Sequence, residues 1–457
     1  MPNTSDTGPL HLPDSEPAGM EQAVVKKLLL RLVPFLAILY VFAMLDRTNV
    51  NVAALTMKQD LHFSDLVYGF GAGIFFVGYF LFEVPSNLIM ERVGARRWIA
   101  RIMVTWGIIS ACMMFVHTPL SFYIMRFLLG LAEAGFYPGV LLYLTYWVPA
   151  GSRAQILARF LALNAVLGLV GGPLGGLFLK LNGLYGLAGW QWLFLLEGLP
   201  SALMGLVVLK VLPDGPMQAN WLTAGEKTWI TSTLARESKS AERVQHMSWK
   251  VALSDPRILS LCLIFVLVST GSNAVGFFSA QLIKSRSGGA WSDSFVATIG
   301  VIPAIVGAVG MWFAATHSDR TGRRRLHVVL GYFVGGLGFL LCVLLPTGPG
   351  VILALSLNAL GERIGAGSYW AVTTNLMGAR AAAGGLAFIN SVGNLGGFFG
   401  PILMGQLKSR SNGDYTTGLY ASAALMILAS LFAFRALQQK KTGEVPPLTP
   451  VEAVALR

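Results

Sequence analysis

Four ionisable residues stand where an apolar bilayer core would have to hold them. Asp46 and Arg47 are neighbours in the middle of one apolar run, and Arg126 and Glu133 lie together in another, from about Leu120 to Val148. On a helix, Arg126 and Glu133 share one face about two turns apart. Asp46 and Arg47 point about 100° apart, so one can face a ligand while the other faces a neighbouring helix. An ionisable side chain at membrane depth is costly and needs water, a partner or a ligand. Arginines suit a carboxylate ligand, because guanidinium is permanently charged and its planar fork matches two oxygens. Acids suit proton coupling, because burial favours the protonated form of a carboxyl group. With no anion bound, Asp46 and Glu133 can neutralise Arg47 and Arg126; once protonated, they free the arginines. That competition is a coupling free energy between proton and anion. The structural alternative is a set of internal salt bridges between helices.

The elements that must position these residues are membrane spans. The chain of 457 residues is 54% hydrophobic and only 12% charged, and its mean hydropathy is +0.62. A soluble protein would carry roughly twice that charge. The 52 glycines suit close helix packing in a bilayer. Runs long enough to cross the bilayer fall at about 28–52, 67–90, 98–116, 120–147, 156–180 and 190–211, then at 258–282, 294–317, 326–345, 349–373, 381–407 and 416–437. The expected fold is an all-α membrane protein of twelve transmembrane helices in two six-helix bundles, 25–212 and 258–437. A polar tail (1–24), a linker (213–257) and a second tail (438–457) complete it. The first tail reads as disordered, with no signal peptide. The linker run from Trp221 to Trp229 reads as amphipathic helix on the membrane surface.

The net charge of +12 is a topology signal and not a nucleic-acid surface, because the basic residues occupy short loops between apolar runs. With both termini cytoplasmic, 25 of the 34 Lys and Arg fall on the cytoplasmic side. Six fall opposite (Lys58, Lys180, Lys284, Arg286, Lys408 and Arg410) and three lie inside spans. The positive-inside rule selects that orientation. The three cysteines lack metal-ligand spacing. The six histidines lie in tails, loops or helix ends, so no Ser/His/Asp constellation suggests an intramembrane hydrolase. No cofactor is expected beyond a proton gradient.

The halves are a duplication. Glu91-Arg92-Val-Gly94-Ala-Arg96-Arg97 recurs as Asp319-Arg320-Thr-Gly322-Arg-Arg324-Arg325, an offset of 228 (319 − 91), and Pro173 maps by the same offset onto Pro401. Glu91, Arg92, Gly94, Arg96, Asp319, Arg320, Gly322 and Arg324 are therefore candidate gating residues, with charged contacts to helix ends across the bundle. The deep charges are not duplicated: Asp46, Arg47, Arg126 and Glu133 map onto Ala274, Val275, Ala354 and Gly361. Charges serving a two-fold scaffold would recur, whereas a ligand site has no such need. The second half carries its own pair, Glu362-Arg363, one residue further along and set among Gly361, Gly365 and Gly367. Arg363 is a candidate contact to a second carboxylate and Glu362 a further proton site; a self-neutralising pair is the structural alternative.

Twelve spans with this loop motif twice resemble the major facilitator superfamily. The resemblance sharpens to its anion:cation symporter family through Leu45-Asp-Arg-Thr-Asn-Val50, Glu83-Val-Pro-Ser-Asn87, Arg126 to Pro138, Gly189-Trp-Gln-Trp-Leu-Phe-Leu-Leu-Glu-Gly-Leu-Pro200 and Asn390-Ser-Val-Gly-Asn-Leu-Gly-Gly-Phe-Phe-Gly-Pro401. It covers nearly all of the chain except the tails. Members include bacterial carriers of tartrate, phthalate, hydroxyphenylacetate and sugar acids, and animal vesicular glutamate and sialic-acid carriers. The resemblance implies a bacterial inner-membrane protein and a site lined by a span-two tyrosine, a span-five polar residue and a span-eleven asparagine. Tyr79, Asn164, Asn390 and Asn394 answer to these, and Trp370 joins them as a polar aromatic inside a span. Glu83 and Glu197 lie in family motifs toward helix ends and read as structural or gating.

The reading is a monomeric carrier that imports a small organic anion with protons by alternating access. Tartrate or a sugar acid fits best. An aromatic-acid carrier is the nearer alternative, given Tyr79 and Trp370, and a non-transporting anion sensor the more distant one. Importing one negative charge against ~100 mV, inside negative, costs roughly 2.3 kcal/mol. One proton cancels that cost for a monoanion, and two make uptake electrically favourable.

Overall fold

The computed structural model describes residues 19–241 and 255–437; within these, some side chains, among them those of Asn164, Asp319 and 375–384, lie outside the description. The described backbone is helical throughout, with no strand among the described residues. Nine of its helices are long and apolar enough to cross a membrane.

The first half begins with α1 (Met20–Arg31), which runs through Leu32 into α2 (Val33–Asp60). Helices α3 (Asp65–Val93) and α4 (Ala95–Cys112) follow, then α5 (Pro119–Glu133) and α6 (Phe136–Thr145). The fifth crossing is α7 (Ala150–Leu167) and α8 (Gly171–Leu179), joined by a 3-10 turn at Gly168–Val170, and the sixth is α9 (Gly189–Val211). The linker supplies α10 (Ala224–Ala241), tied to α1 by Lys27 and Glu226 at 2.8 Å. The second half runs through α11 (Pro256–Gly276), α12 (Ser279–Arg286), α13 (Asp293–Ile299), α14 (Ile302–Thr321) and α15 (Arg324–Leu344). It closes with α16 (Gly348–Asn394), α17 (Gly396–Arg410) and α18 (Thr416–Ala436). The continuous helical run α16 takes in the tenth span and the start of the eleventh.

Local chemistry sets several boundaries. Ser64 caps α3 by accepting from the Val67 amide, and Thr118 and Ser121 form a reciprocal capping box at α5. The loop motif's glycines end helices in backbone that side chains avoid, with φ of 92° at Gly94 and 65° at Gly322. The expected fourth span is broken: Gly135, at φ 86°, separates α5 from α6 immediately after Glu133. The carbonyl freed at Ala134 accepts from Ser86 Oγ at 2.7 Å, and that hydroxyl accepts from Trp98 Nε1 at 2.9 Å. Such breaks survive at membrane depth only when the freed backbone groups are re-satisfied.

One face of the bundle carries residues 61–64, 183–188 and 288–292 and is here termed the far face; the other carries the start of α2. The halves meet mainly at the far face. There α3 packs on α17 and α8 on α13. A side chain on Gly69 would strike the Pro401 carbonyl, and one on Gly172 would strike that of Ala297. The 228-residue offset sends Gly69 to Ala297 and Pro401 to Pro173, the residue after Gly172, so the two contacts are counterparts to within one residue. Lys58 and Lys408 both bond Asp65, the second at 2.9 Å, and Tyr68 Oη donates to the Phe277 carbonyl at 2.6 Å. Among the described residues, one inter-half hydrogen bond lies away from this seal: Ser391 Oγ to Glu83 Oε2 at 3.4 Å.

In the first half the loop motif reaches a helix end across its own bundle. Arg96 bonds Asp214 at 2.9 Å and the Leu209 carbonyl at the end of α9, both in its own half. Glu91, Arg92 and Arg320 are exposed, Arg324 begins α15, and the Asp319 side chain lies outside the described set. Among the described residues Arg96 makes no charged contact between the halves. The α9 C-terminus that Arg96 reaches is a place where a cation is favoured.

Candidate functional site

The centre of the first half is an ion pair. Arg47 Nη2 on α2 donates to Glu133 Oε1 on α5 at 2.6 Å. Glu133 is almost completely buried, whereas 28% of the Arg47 side chain remains exposed at mid-span. The guanidinium carbon lies 5.0 Å from the Tyr79 ring centre and 5.6 Å from that of Phe75. Glu133 Oε2 and Arg47 Nε have no hydrogen-bond partner. The pair is thus under-satisfied, and its arginine is partly open: a carboxylate can add to or displace Glu133 there, and a proton can add to Oε2.

Arg126 is placed differently. It is completely buried on α5 and donates through Nε to the Gly71 carbonyl at 3.3 Å and through Nη2 to the Ala72 carbonyl at 3.4 Å. Its guanidinium carbon lies 4.8 Å from the Phe75 ring centre, so one phenyl ring serves both arginines. Nη1 is unpartnered. Arg126 makes no ion pair with Glu133 although the two share a helix, so the expected pairing of two acids with two arginines is realised only as Arg47–Glu133.

Asp46 points away from Arg47, into the first half. Its carboxylate accepts from Trp106 Nε1 and Ser110 Oγ, both at 2.5 Å, from Ser201 Oγ at 3.1 Å and from Asn49 Nδ2 at 3.3 Å. It touches neither arginine. The angular separation of adjacent helical residues, together with three donors waiting on α4 and α9, sends the two neighbours to opposite sides of α2.

The second half answers across the seam. Arg363 is exposed and makes no hydrogen bond or ion pair among the described residues, while Glu362 accepts from Ser272 Oγ at 2.9 Å. They do not pair with each other. Arg47, Glu133 and Arg363 are the charges whose fields reach the Tyr40 phenol. Asn390 and Asn394 are half-buried beside Ser391, the residue that reaches Glu83. Trp370 packs edge-on against Phe265 with ring centres 5.3 Å apart. The Asn164 side chain lies outside the described residues.

Tyr40, Tyr137 and Phe75 were not legible as site residues. Tyr40 stands beside Tyr137 (5.4 Å) and Phe160 (5.7 Å), and all three are aromatic residues in apolar runs, indistinguishable in sequence from core filler. Glu83, which reads as lying toward a helix end, in fact joins the halves.

The Major Facilitator Superfamily model matches residues 36–401 and 288–452. The chain belongs to the Major Facilitator Superfamily. This superfamily member is 44% identical over 412 residues to a protein of Agrobacterium vitis named "Putative tartrate transporter", covering 90% of this chain and 91% of that one. It is 36% identical to a "Quinolone resistance transporter" of Acinetobacter baumannii over 93% of this chain and 98% of the other. Its fold matches that of a bacterial homologue of the lysosomal transporter Spinster, with a TM-score of 0.72 and 17% identity over 88% of this chain and 96% of that one. This superfamily chain is therefore a multi-pass membrane transporter with the two-bundle fold.

Proposed function

We propose that this transporter carries a small organic anion of the tartrate or sugar-acid class inward across a bacterial inner membrane, coupled to protons. The observation that carries the reading is the Arg47–Glu133 pair: a mid-membrane arginine, partly open, held by a carboxylate that can be protonated away. The 44% identity to a protein named for tartrate agrees with an anionic substrate.

The cycle follows from charge. In the empty carrier Glu133 holds Arg47. A proton on Glu133 removes that competitor, and the substrate carboxylate takes the guanidinium in its place. Tyr79 and Phe75 fix the arginine's position, and Phe75 links it to Arg126, which adds positive potential from behind. Arg363 supplies a contact for a second carboxylate or hydroxyl. With the termini in the cytoplasm, the sealed far face is the outer one, so this conformation opens inward. Rocking about the α3–α17 and α8–α13 contacts would exchange access.

Uptake of labelled tartrate into proteoliposomes, driven by an imposed pH gradient, tests this reading. Accumulation above the equilibrium level that collapses with a protonophore is the expected result. Tartrate binding without accumulation would leave an anion sensor, and no binding would remove the substrate class.

A further inference from the structure

Glu197 on α9 plays no part in the cycle just described. It is 4% exposed, and its Oε2 has no hydrogen-bond partner. Asn49 on α2 is 3% exposed, and its Oδ1 is likewise unpartnered. The Asn49 side chain neighbours the Glu197 carboxylate and acts on it as a donor. Both border a cavity of about 220 Å³ at the seam between the halves, which Thr48 and Asn51 line from α2 and Ser279 from α12. Gly171, Gly172 and Gly175 of α8 form another wall. Glu197 is connected to Asp46 as well: Asn49 Nδ2 reaches Asp46 Oδ1, and Ser201, which donates to Asp46 Oδ2, also bonds the Glu197 carbonyl at 2.9 Å.

A carboxylate oxygen buried without a donor costs free energy. Among the described residues no side-chain cation is placed to offset it. Helix α9 packs on α2, α4, α8 and the turn Met113–Phe115. Of these α2 contributes Asp46, a second negative group. The α4 residues beside Gly198 are Gly107 and Ala111, with Trp106 and Ser110 already spent on Asp46. Neither α8 nor the turn holds a titratable residue. A proton satisfies the geometry in one step. Taken from water onto Glu197 Oε2, it neutralises the carboxylate and removes the cost of burying its charge.

We infer that Glu197, Asn49 and Asp46 form a cation site separate from the Arg47–Glu133 pair, bordering the cavity at the seam between the halves, and that the cation is a proton held on Glu197. The inference rests on the symport reading and locates where the coupling proton waits. The cavity wall is built from both halves, so the rocking that moves the substrate also changes access to this site. Asp46 lies within electrostatic reach of both Glu133 and Glu197, so loading of this site is felt at the substrate site.

Infrared difference spectra of the purified full-length protein without substrate, recorded through a pH titration, test the assignment. A carboxylic-acid C=O band in the wild type that is missing in Glu197→Gln and displaced in Asn49→Ala is the expected result. A Glu197→Gln spectrum identical to wild type would overturn it; if that variant does not fold, an unmoved band in Asn49→Ala would do so. Sodium chloride is compared with choline chloride, and loss of the band in sodium would overturn the proton as occupant. In proteoliposomes, Glu197→Gln should bind and exchange labelled tartrate as wild type does but lose about tenfold or more of its pH-driven accumulation. Failure of wild-type protein to accumulate tartrate would count against the symport reading, while the infrared result would still decide the site.

Discussion

Asn51 and Ser279 are counterparts under the internal repeat, and they touch: Asn51 Nδ2 donates to Ser279 Oγ at 3.0 Å across 228 residues of chain. A residue meets its own image only at a two-fold axis, so this contact marks where the pseudo-symmetry axis passes through the seam. The Ala280 amide returns a bond to Asn51 Oδ1 at 3.2 Å, and Lys58 reaches Gln281 at 3.0 Å beside it. Polar groups at the axis make a seal that can be re-formed with water when it opens, at small net cost.

The seal predicts a lock. In a chain whose native Cys112, Cys262 and Cys342 are replaced by alanine, Asn51→Cys with Ser279→Cys should form a disulfide on oxidation. Labelled tartrate uptake should stop and return on reduction. Full-rate uptake by the cross-linked protein would show that this seam does not open during transport.

Arg47→Gln should lower tartrate affinity by about 100-fold, roughly 3 kcal/mol for a bidentate charge-assisted contact. Arg47→Lys should recover little of it, because an ammonium presents no planar fork over Tyr79. Calorimetric titration of the purified variants reads the loss. Near wild-type affinity in Arg47→Gln would place the anion elsewhere.

Glu133→Gln removes the competitor for Arg47 permanently. Tartrate binding should persist and lose most of its pH dependence, tartrate exchange should continue, and accumulation driven by a pH gradient should fail. Binding that still rises and falls with pH as in wild type would assign the competition to another acid.

Asp46→Ala should act mainly on stability. It strands the Trp106 indole N–H and the Ser110 hydroxyl in the first half, at about 2–4 kcal/mol. A lowered melting temperature in detergent, with residual tartrate binding at low temperature, is the expected outcome. An unchanged melting temperature would show the cage to be energetically idle.

Arg363→Gln should weaken tartrate by about tenfold or more while leaving a hydroxy-monocarboxylate such as lactate within about twofold, on the scale of one exposed charge contact. Equal weakening of both acids would mean that Arg363 does not read the second carboxylate.

The spans, the duplication and the identities of the deep charges were legible in the sequence because each depends on local composition. Apolar length is imposed by bilayer thickness, the repeat by a motif copied at one offset, and the cost of Arg47 or Glu133 at membrane depth by its own chemistry. Pairing was not legible. The sequence presents two acids and two arginines, and nothing in their spacing says that Arg47 takes Glu133 while Asp46 turns to Trp106, Ser110 and Ser201. That choice depends on which way α2 is rotated against α4, α5 and α9, which is fixed by packing between residues far apart in the chain. The same holds for Phe75 between two arginines, for the break at Gly135 that frees the end of α5 at Glu133, and for the meeting of Glu197 with Asn49 beside the cavity at the seam. A ring, a glycine or a carboxylate reads alike wherever it falls in an apolar run. Its neighbours exist only after the helices have packed, and at this site the neighbours decide which charge is paired, which is caged and which stays open.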